Sequence, residues 1–184
     1  ADQDQTKKLA EALNLSELAA EILINRGYDT KEKAENFLKP GPENLHDPYL
    51  MHDMKKGTDR IRTAIVEGQK ITVYGDYDAD GLTSTSIMYE ALTQLGAECD
   101  YYIPNRFDDG YGPNKEAYKR LIENGTELIV TVDNGVAGHE AIEFAREQGV
   151  DVVITDHHEL PQELPDAYAI IHPKIPNDDG DYPF

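Results

Sequence analysis

The sequence predicts an α/β protein: a parallel sheet of about five strands flanked by helices, preceded by a small N-terminal helical segment. Three observations carry that expectation. From residue 70 onward, short β-rich runs alternate with stretches of helical periodicity, the pattern of βαβ units. The β-rich runs are almost continuously apolar, as strands covered on both faces must be. The acidic and imidazole residues gather directly after these runs, where an open parallel sheet has its crevice.

Taken in order, residues 8–39 read as helices. "LSELAAEILINRG" has apolar residues at helical spacing, Asn14 or Ser16 to cap its start and Gly27 to end it. "YDTKEKAENFLKP" opens on a D-x-x-E box, Asp29 to Glu32, and stops before Pro40. "PGPENLHDPYL" is a turn-rich linker, and a further helix over about 51–67 ends at Gly68. The expected strands are "KITVYG" (70–75), "ECDYYI" (98–103), "ELIVTV" (127–132), "DVVIT" (151–155) and "YAIIHP" (168–173). Helices at about 82–95, 114–124 and 137–148 separate them, joined by right-handed crossovers. Two parts follow: an N-terminal helical segment with its linker (1–50) and a sheet domain (51–184).

The 184 residues suffice for one good-sized core with an appendage. No apolar run approaches the roughly 20 residues of a membrane span, and "ADQDQTKKLA" lacks the apolar stretch of a signal peptide. Cys99 is alone, which rules out an internal disulfide and suits a reducing cytoplasm. The net charge of −19 argues against a general nucleic-acid-binding face, because phosphate backbones are held by cations. It leaves room for a nucleic-acid enzyme whose metal ions, or a basic surface elsewhere, supply positive charge.

Three strand ends carry the chemistry. "ITVYG" leads into Asp76-Tyr77-Asp78-Ala79-Asp80-Gly81, "LIVTV" into Asp133-Asn134-Gly135, and "DVVIT" into Asp156-His157-His158-Glu159. The first matches the opening six positions of a calcium-binding EF-hand, but its twelfth position is Ile87 rather than a bidentate Glu, and it follows a strand rather than a helix. Several carboxylates with imidazoles suit Mn²⁺ or Mg²⁺, and such a set also takes Zn²⁺ or Fe²⁺. Two such ions want a bridging carboxylate, for which Asp133, alone on its loop, is suited. Thr83, Ser84, Thr85 and Ser86 are expected to open the next helix, with amides and hydroxyls available to phosphate. A lone strand-end Asp is ordinarily a helix cap, and His46, His52, His139 and His172 read as ordinary solvated or hydrogen-bonded histidines. Clusters on three strand ends are not explained that way.

"YGDYDADG", "PNRFDDGYGPN", "VTVDNGV" and "ITDHHE" stand in the order of the DHH phosphoesterase superfamily, which the chain resembles over nearly all of its length. With "IIHPK" and the helical opening "ILINRGYDTKEKAENFL", the resemblance is to the superfamily's single-strand-specific 5′→3′ DNA exonucleases of repair and recombination. It implies phosphodiester hydrolysis with two divalent ions, Mn²⁺ or Mg²⁺. It implies Asp76, Asp78, Asp80, Asp133 and His157 as metal ligands, with Asp133 as the bridge. His158 is then expected beside the scissile phosphate, the catalytic set being His158, Asp133 and Asp80. Asp156 is expected to orient an imidazole from behind the ligands. Arg106 is implied at the 5′ end or a nearby phosphate, Tyr111 stacked on a base, and Asn134 at the substrate. Single-stranded DNA is the implied partner, with a single-strand-binding protein or a helicase as further partners.

The superfamily carries another metal-binding Asp on a later strand. Asp178, Asp179 and Asp181 follow no strand pattern, so the domain at 51–184 is expected to be a C-terminally truncated part of a larger enzyme, short of an associated domain and an OB-fold. Two other functional readings compete, besides a degenerate, non-catalytic scaffold, against which the intact Asp78, Asp80, Asp133 and His157 argue. Related enzymes cleave oligoribonucleotides, cyclic dinucleotides or pyrophosphate, but they usually have a His where this chain has Tyr74. A phospho-receiver would need a late strand-end Lys, for which Lys174 is the candidate, and would leave His157 and His158 unexplained.

Overall fold

The computed structural model describes residues 2–105, 112–177 and 182, in two compact units, Ala1–Asp47 and Pro48–Phe184. The first unit packs helices α1 (Gln3–Leu13), α2 (Glu17–Asn25) and α3 (Lys31–Leu38) around Leu9, Ala10, Ala20, Leu23 and Ala34. α1 starts before the apolar periodicity does, because the Asp2 side chain caps it by accepting from the Asp4 N–H. Of the two expected caps for α2, Ser16 serves, accepting from the Ala19 N–H, while Asn14 closes α1 in the left-handed conformation. The expected box at Asp29 is replaced by a Thr30 cap that accepts from the Lys33 N–H. Asp29 instead pairs with the Lys33 ammonium at 2.8 Å.

In the second unit a 3-10 turn, Pro48–Leu50, leads into α4 (Met54–Glu67), which ends at left-handed Gly68. The sheet comprises β1 (Ile71–Tyr74), β2 (Cys99–Tyr102), β3 (Leu128–Val132), β4 (Asp151–Thr155) and β5 (Ala169–Ile171), all parallel, in the order β2-β1-β3-β4-β5. The connecting helices are α5 (Ala79–Gln94), α6 (Lys115–Glu123) and α7 (His139–Glu147). Two apolar layers sandwich the sheet, as continuous apolar strands require. Ile71, Val73, Leu128, Val130 and Val153 face α4 and α5, meeting Ala64 and Leu92. Tyr74, Ile129, Val152 and Ile154 face α6 and α7, meeting Tyr118, Ile142 and Ala145. Tyr74 is fully buried in this second layer, its hydroxyl donating to the Gly112 carbonyl, so it packs the core rather than lining a site.

The strand order determines where a site can lie. The chain leaves β1 toward β2 on one side, and β3 then pairs with the other side of β1. The carboxyl ends of β1 and β3 therefore flank the reversal point, where adjacent connections diverge and open a crevice.

Candidate metal centre

Each strand end builds its loop by local rules. After β1, the Asp78 side chain caps α5 by accepting from the Gly81 N–H, so the helix begins at Ala79 and not near Leu82. Thr83, Ser84, Thr85 and Ser86 consequently lie beyond the first turn. Their hydroxyls donate to the carbonyls of Ala79, Gly81 and Leu82, which corrects the expectation that they face phosphate. Gly81 is required by proximity: a Cβ there would lie 2.6 Å from the Asp76 carbonyl oxygen. This contact seats the helix against Asp76.

Asp76 is 1 % exposed. One of its oxygens accepts from the Tyr77 N–H at 2.6 Å, and the other, Oδ2, is buried with no hydrogen-bond partner among the described residues. After β3, Asp133 sits at φ 60°, a left-handed conformation that Asp tolerates better than most residues. Its Oδ1 lies 2.9 Å from His157 Nε2, and its Oδ2 is again buried without a partner among the described residues. Buried polar atoms are nearly always paired, so two orphaned carboxylate oxygens at neighbouring strand ends need a reason.

After β4, Asp156 organises the third loop. Its Oδ1 accepts from the His157 N–H (2.7 Å), the His158 N–H (3.1 Å) and His158 Nδ1 (2.7 Å), and its Oδ2 accepts from the Val136 N–H (3.0 Å). The ring nitrogens of His157 and His158 and an Asp133 oxygen all lie within 4.8 Å of one another. Burial pushes the Asp133 carboxyl above its usual range, against the hydrogen bond from His157 and with help from the Asp78 charge. Burial also pushes Asp76 up, aided by Asp78 and Asp156. Asp78, although exposed, thus acts electrostatically on both buried carboxylates. Burial would raise Asp156 too, but the hydrogen bonds from Val136, His158 and His157 outweigh it and hold that carboxyl low. The hydrogen bond that His158 donates to Asp156 raises the His158 imidazole.

The donor set fits a divalent cation. Acidic oxygens and imidazoles are ligands for such ions, and the orphaned oxygens of Asp76 and Asp133 are where a positive charge is wanted. The fold brings together Asp76, Asp78, Asp133, His157 and His158. Asp80 is exposed in the first turn of α5, outside the 4.8 Å group. Asn134, expected at the substrate, is 1 % exposed and lines the cleft beside the site, and its amide nitrogen donates to the Tyr74 and Val132 carbonyls, bracing β1 against β3. Arg106, Tyr111, Asp178, Asp179 and Asp181 lie outside the described residues. Lys174 pairs with Glu159 at 2.6 Å, so it does not serve the receiver arrangement. His172, read from the sequence as an ordinary solvated or hydrogen-bonded histidine, is hydrogen-bonded, and its partner is the His158 backbone, which sequence reasoning did not foresee. A cleft of about 340 Å³ beside the site is lined by Gly112, Pro113, Gly135, Val136, Asp156 and His158, among others.

Fold and site together define an α/β protein with acidic and imidazole donors gathered at the switch point of a parallel sheet, the architecture of a divalent-metal centre. The chain belongs to the DHH family, whose N-terminal domain matches residues 70–179. It is 50 % identical over 183 residues to the single-stranded-DNA-specific exonuclease RecJ of Bacillus subtilis (strain 168), covering 100 % of this chain and 23 % of that protein. It is 45 % identical over 162 residues to RecJ of Escherichia coli (strain K12), covering 88 % and 27 %. The crystal structure of RecJ in complex with Mn²⁺ from Thermus thermophilus is similar at TM-score 0.76 and 28 % identity, over 100 % of this chain and 25 % of that one. A manganese-bound exonuclease RecJ is similar at TM-score 0.68 and 33 % identity, over 76 % and 36 %. The chain spans about a quarter of the length of the curated relatives it matches.

Proposed function

We propose that this chain is the N-terminal, metal-binding part of the catalytic core of a RecJ-like 5′→3′ single-stranded DNA exonuclease acting in DNA repair and recombination. The observation that carries the reading is the pair of buried, unpartnered oxygens on Asp76 and Asp133, set beside the imidazoles of His157 and His158. Asp76, Asp78, Asp80, Asp133 and His157 would hold two Mn²⁺ or Mg²⁺ ions, with Asp133 between them. Such ions supply Lewis acidity at a phosphoryl oxygen and lower the pKa of water at the site.

The chain's own residues do the rest. Asp156 fixes the ring of His158 and favours its protonated form, a hydrogen-bond donor suited to charge growing on a non-bridging phosphate oxygen. Asn134 keeps the two strand ends in register, so that the carboxylates after them stay aligned. Arg106 and Tyr111 are assigned to the 5′ phosphate and to a base. A cytoplasmic setting, with a single-strand-binding protein or a helicase as partner, belongs to the same reading.

The test compares 5′-phosphorylated single-stranded DNA, short RNA and cyclic dinucleotides as substrates of the full-length protein in Mn²⁺. Preference for single-stranded DNA, with release of 5′-mononucleotides, is expected. Preference for RNA or cyclic dinucleotides would reassign the enzyme to another branch of the family.

A further inference from the structure

His172 follows β5 and is fully buried. Both of its ring nitrogens are engaged by the backbone: Nδ1 accepts from the Lys174 N–H at 3.1 Å, and Nε2 lies 2.8 Å from the His158 carbonyl oxygen. An amide N–H can only donate and a carbonyl can only accept, so the two partners fix the tautomer with the proton on Nε2. Asp156 holds His158 from the other side, taking both its backbone N–H and its ring Nδ1. The His158 residue is therefore gripped at its N–H, its carbonyl and its ring. A second link between the same two turns runs from the Lys174 ammonium to Glu159.

We infer that His172 is a positioning residue for His158: as an Nε2–H donor of fixed tautomer, it anchors the carbonyl of the site histidine to the end of β5 and so sets where the His158 ring stands. Without that anchor the peptide that follows His158 loses its tie to the end of β5 and can rotate. The ring would then sample orientations away from Asp133 and His157. The importance of this anchor for turnover rests on the role proposed above for His158. The anchor itself does not.

The test uses the full-length protein with ¹⁵N-labelled histidine and two variants. His172→Phe keeps the ring's bulk and removes both hydrogen bonds. His172→Gln keeps an amide donor near the Nε2 position. In chelator, the wild type and His172→Gln should show His158 ring ¹⁵N signals of a proton fixed on Nδ1. His172→Phe should show them shifted toward interconverting forms. In Mn²⁺, His172→Phe should lose roughly tenfold to a hundredfold in kcat on single-stranded DNA, as when a partner that orients a site imidazole is removed. Its KM should stay within about threefold, and His172→Gln should recover most of the kcat. Unchanged His158 signals in His172→Phe would overturn the inference, as would a His172→Gln variant as damaged as His172→Phe. Shifted signals with unchanged turnover would leave the anchor standing and reject His158's role at the phosphate.

Discussion

Asp133→Asn should stabilise the metal-free protein while abolishing its site. The Asp133 Oδ2 is buried without a hydrogen-bond partner among the described residues, and an amide there is still unpartnered but uncharged, which removes the charge part of the desolvation cost, about 1–2 kcal/mol. The nearby Asp78 charge adds repulsion of the order of 1 kcal/mol. Against these stands the loss of charge assistance in the bond to His157, about 1 kcal/mol at a largely exposed ring. Asn is as well suited as Asp to φ 60°, so the backbone gives no penalty. The net is a gain of about 1–2 kcal/mol, or roughly 3–6 °C in Tm for a unit of this size. The sign with pH follows from the raised carboxyl. The wild-type contribution is complete below the unfolded pKa near 4 and is lost as pH rises through the raised folded value. The variant's advantage therefore opens toward neutral pH and closes in acid. Thermal unfolding in chelator at pH 7.5 measures it. In saturating Mn²⁺ the order inverts, because a ligand at 100 times its Kd adds about 2.7 kcal/mol to the protein that binds it. A variant less stable than wild type in chelator at neutral pH would refute the reasoning.

Three further outcomes follow from the same structure. Asp156→Asn should lower stability by about 2–4 kcal/mol in urea unfolding, because four donors point at its two oxygens and one of them must then face an amide NH₂. The wild type's Asp156 contribution, present above the unfolded carboxyl pKa, should fade as pH falls through the depressed folded value, and the variant should lack that slope. Gly81→Ala should cost about 1–3 kcal/mol in the same assay and displace the Asp76 loop, since its Cβ would meet the Asp76 backbone. Tyr118→Phe should raise the urea midpoint, by about 1 kcal/mol of stability, because its hydroxyl is fully buried without a partner among the described residues.

The sheet was legible because strands buried on both faces leave unbroken apolar runs such as "LIVTV", and because an Asp at a strand end has few uses. The convergence of the three loops was legible through the general placement of crevices in parallel sheets, although the strand order that produces it was not written in any single segment. Helix starts were less legible. The first turn of α5, Ala79-Asp80-Gly81, is polar or small, so hydrophobic spacing locates only the second turn and misplaces the hydroxyls of Thr83 to Ser86. Thr30 and Asp29 are adjacent and both able to cap, and the choice depended on Asp29 finding Lys33. The backbone partners of Asn134 and His172 were not legible, for a common reason. Each bonds to backbone groups distant in sequence, Tyr74 for one and His158 for the other, and a side chain's distant carbonyl partner leaves no pattern in composition or spacing.

The central claim is that buried carboxylates from separate strand ends share a divalent cation. Calorimetric titration of Mn²⁺ into the wild-type protein and into Asp133→Asn addresses it most directly. Saturable binding in the wild type and its loss in Asp133→Asn, with the fold retained, is the predicted result. Equal Mn²⁺ binding by the two proteins would contradict it.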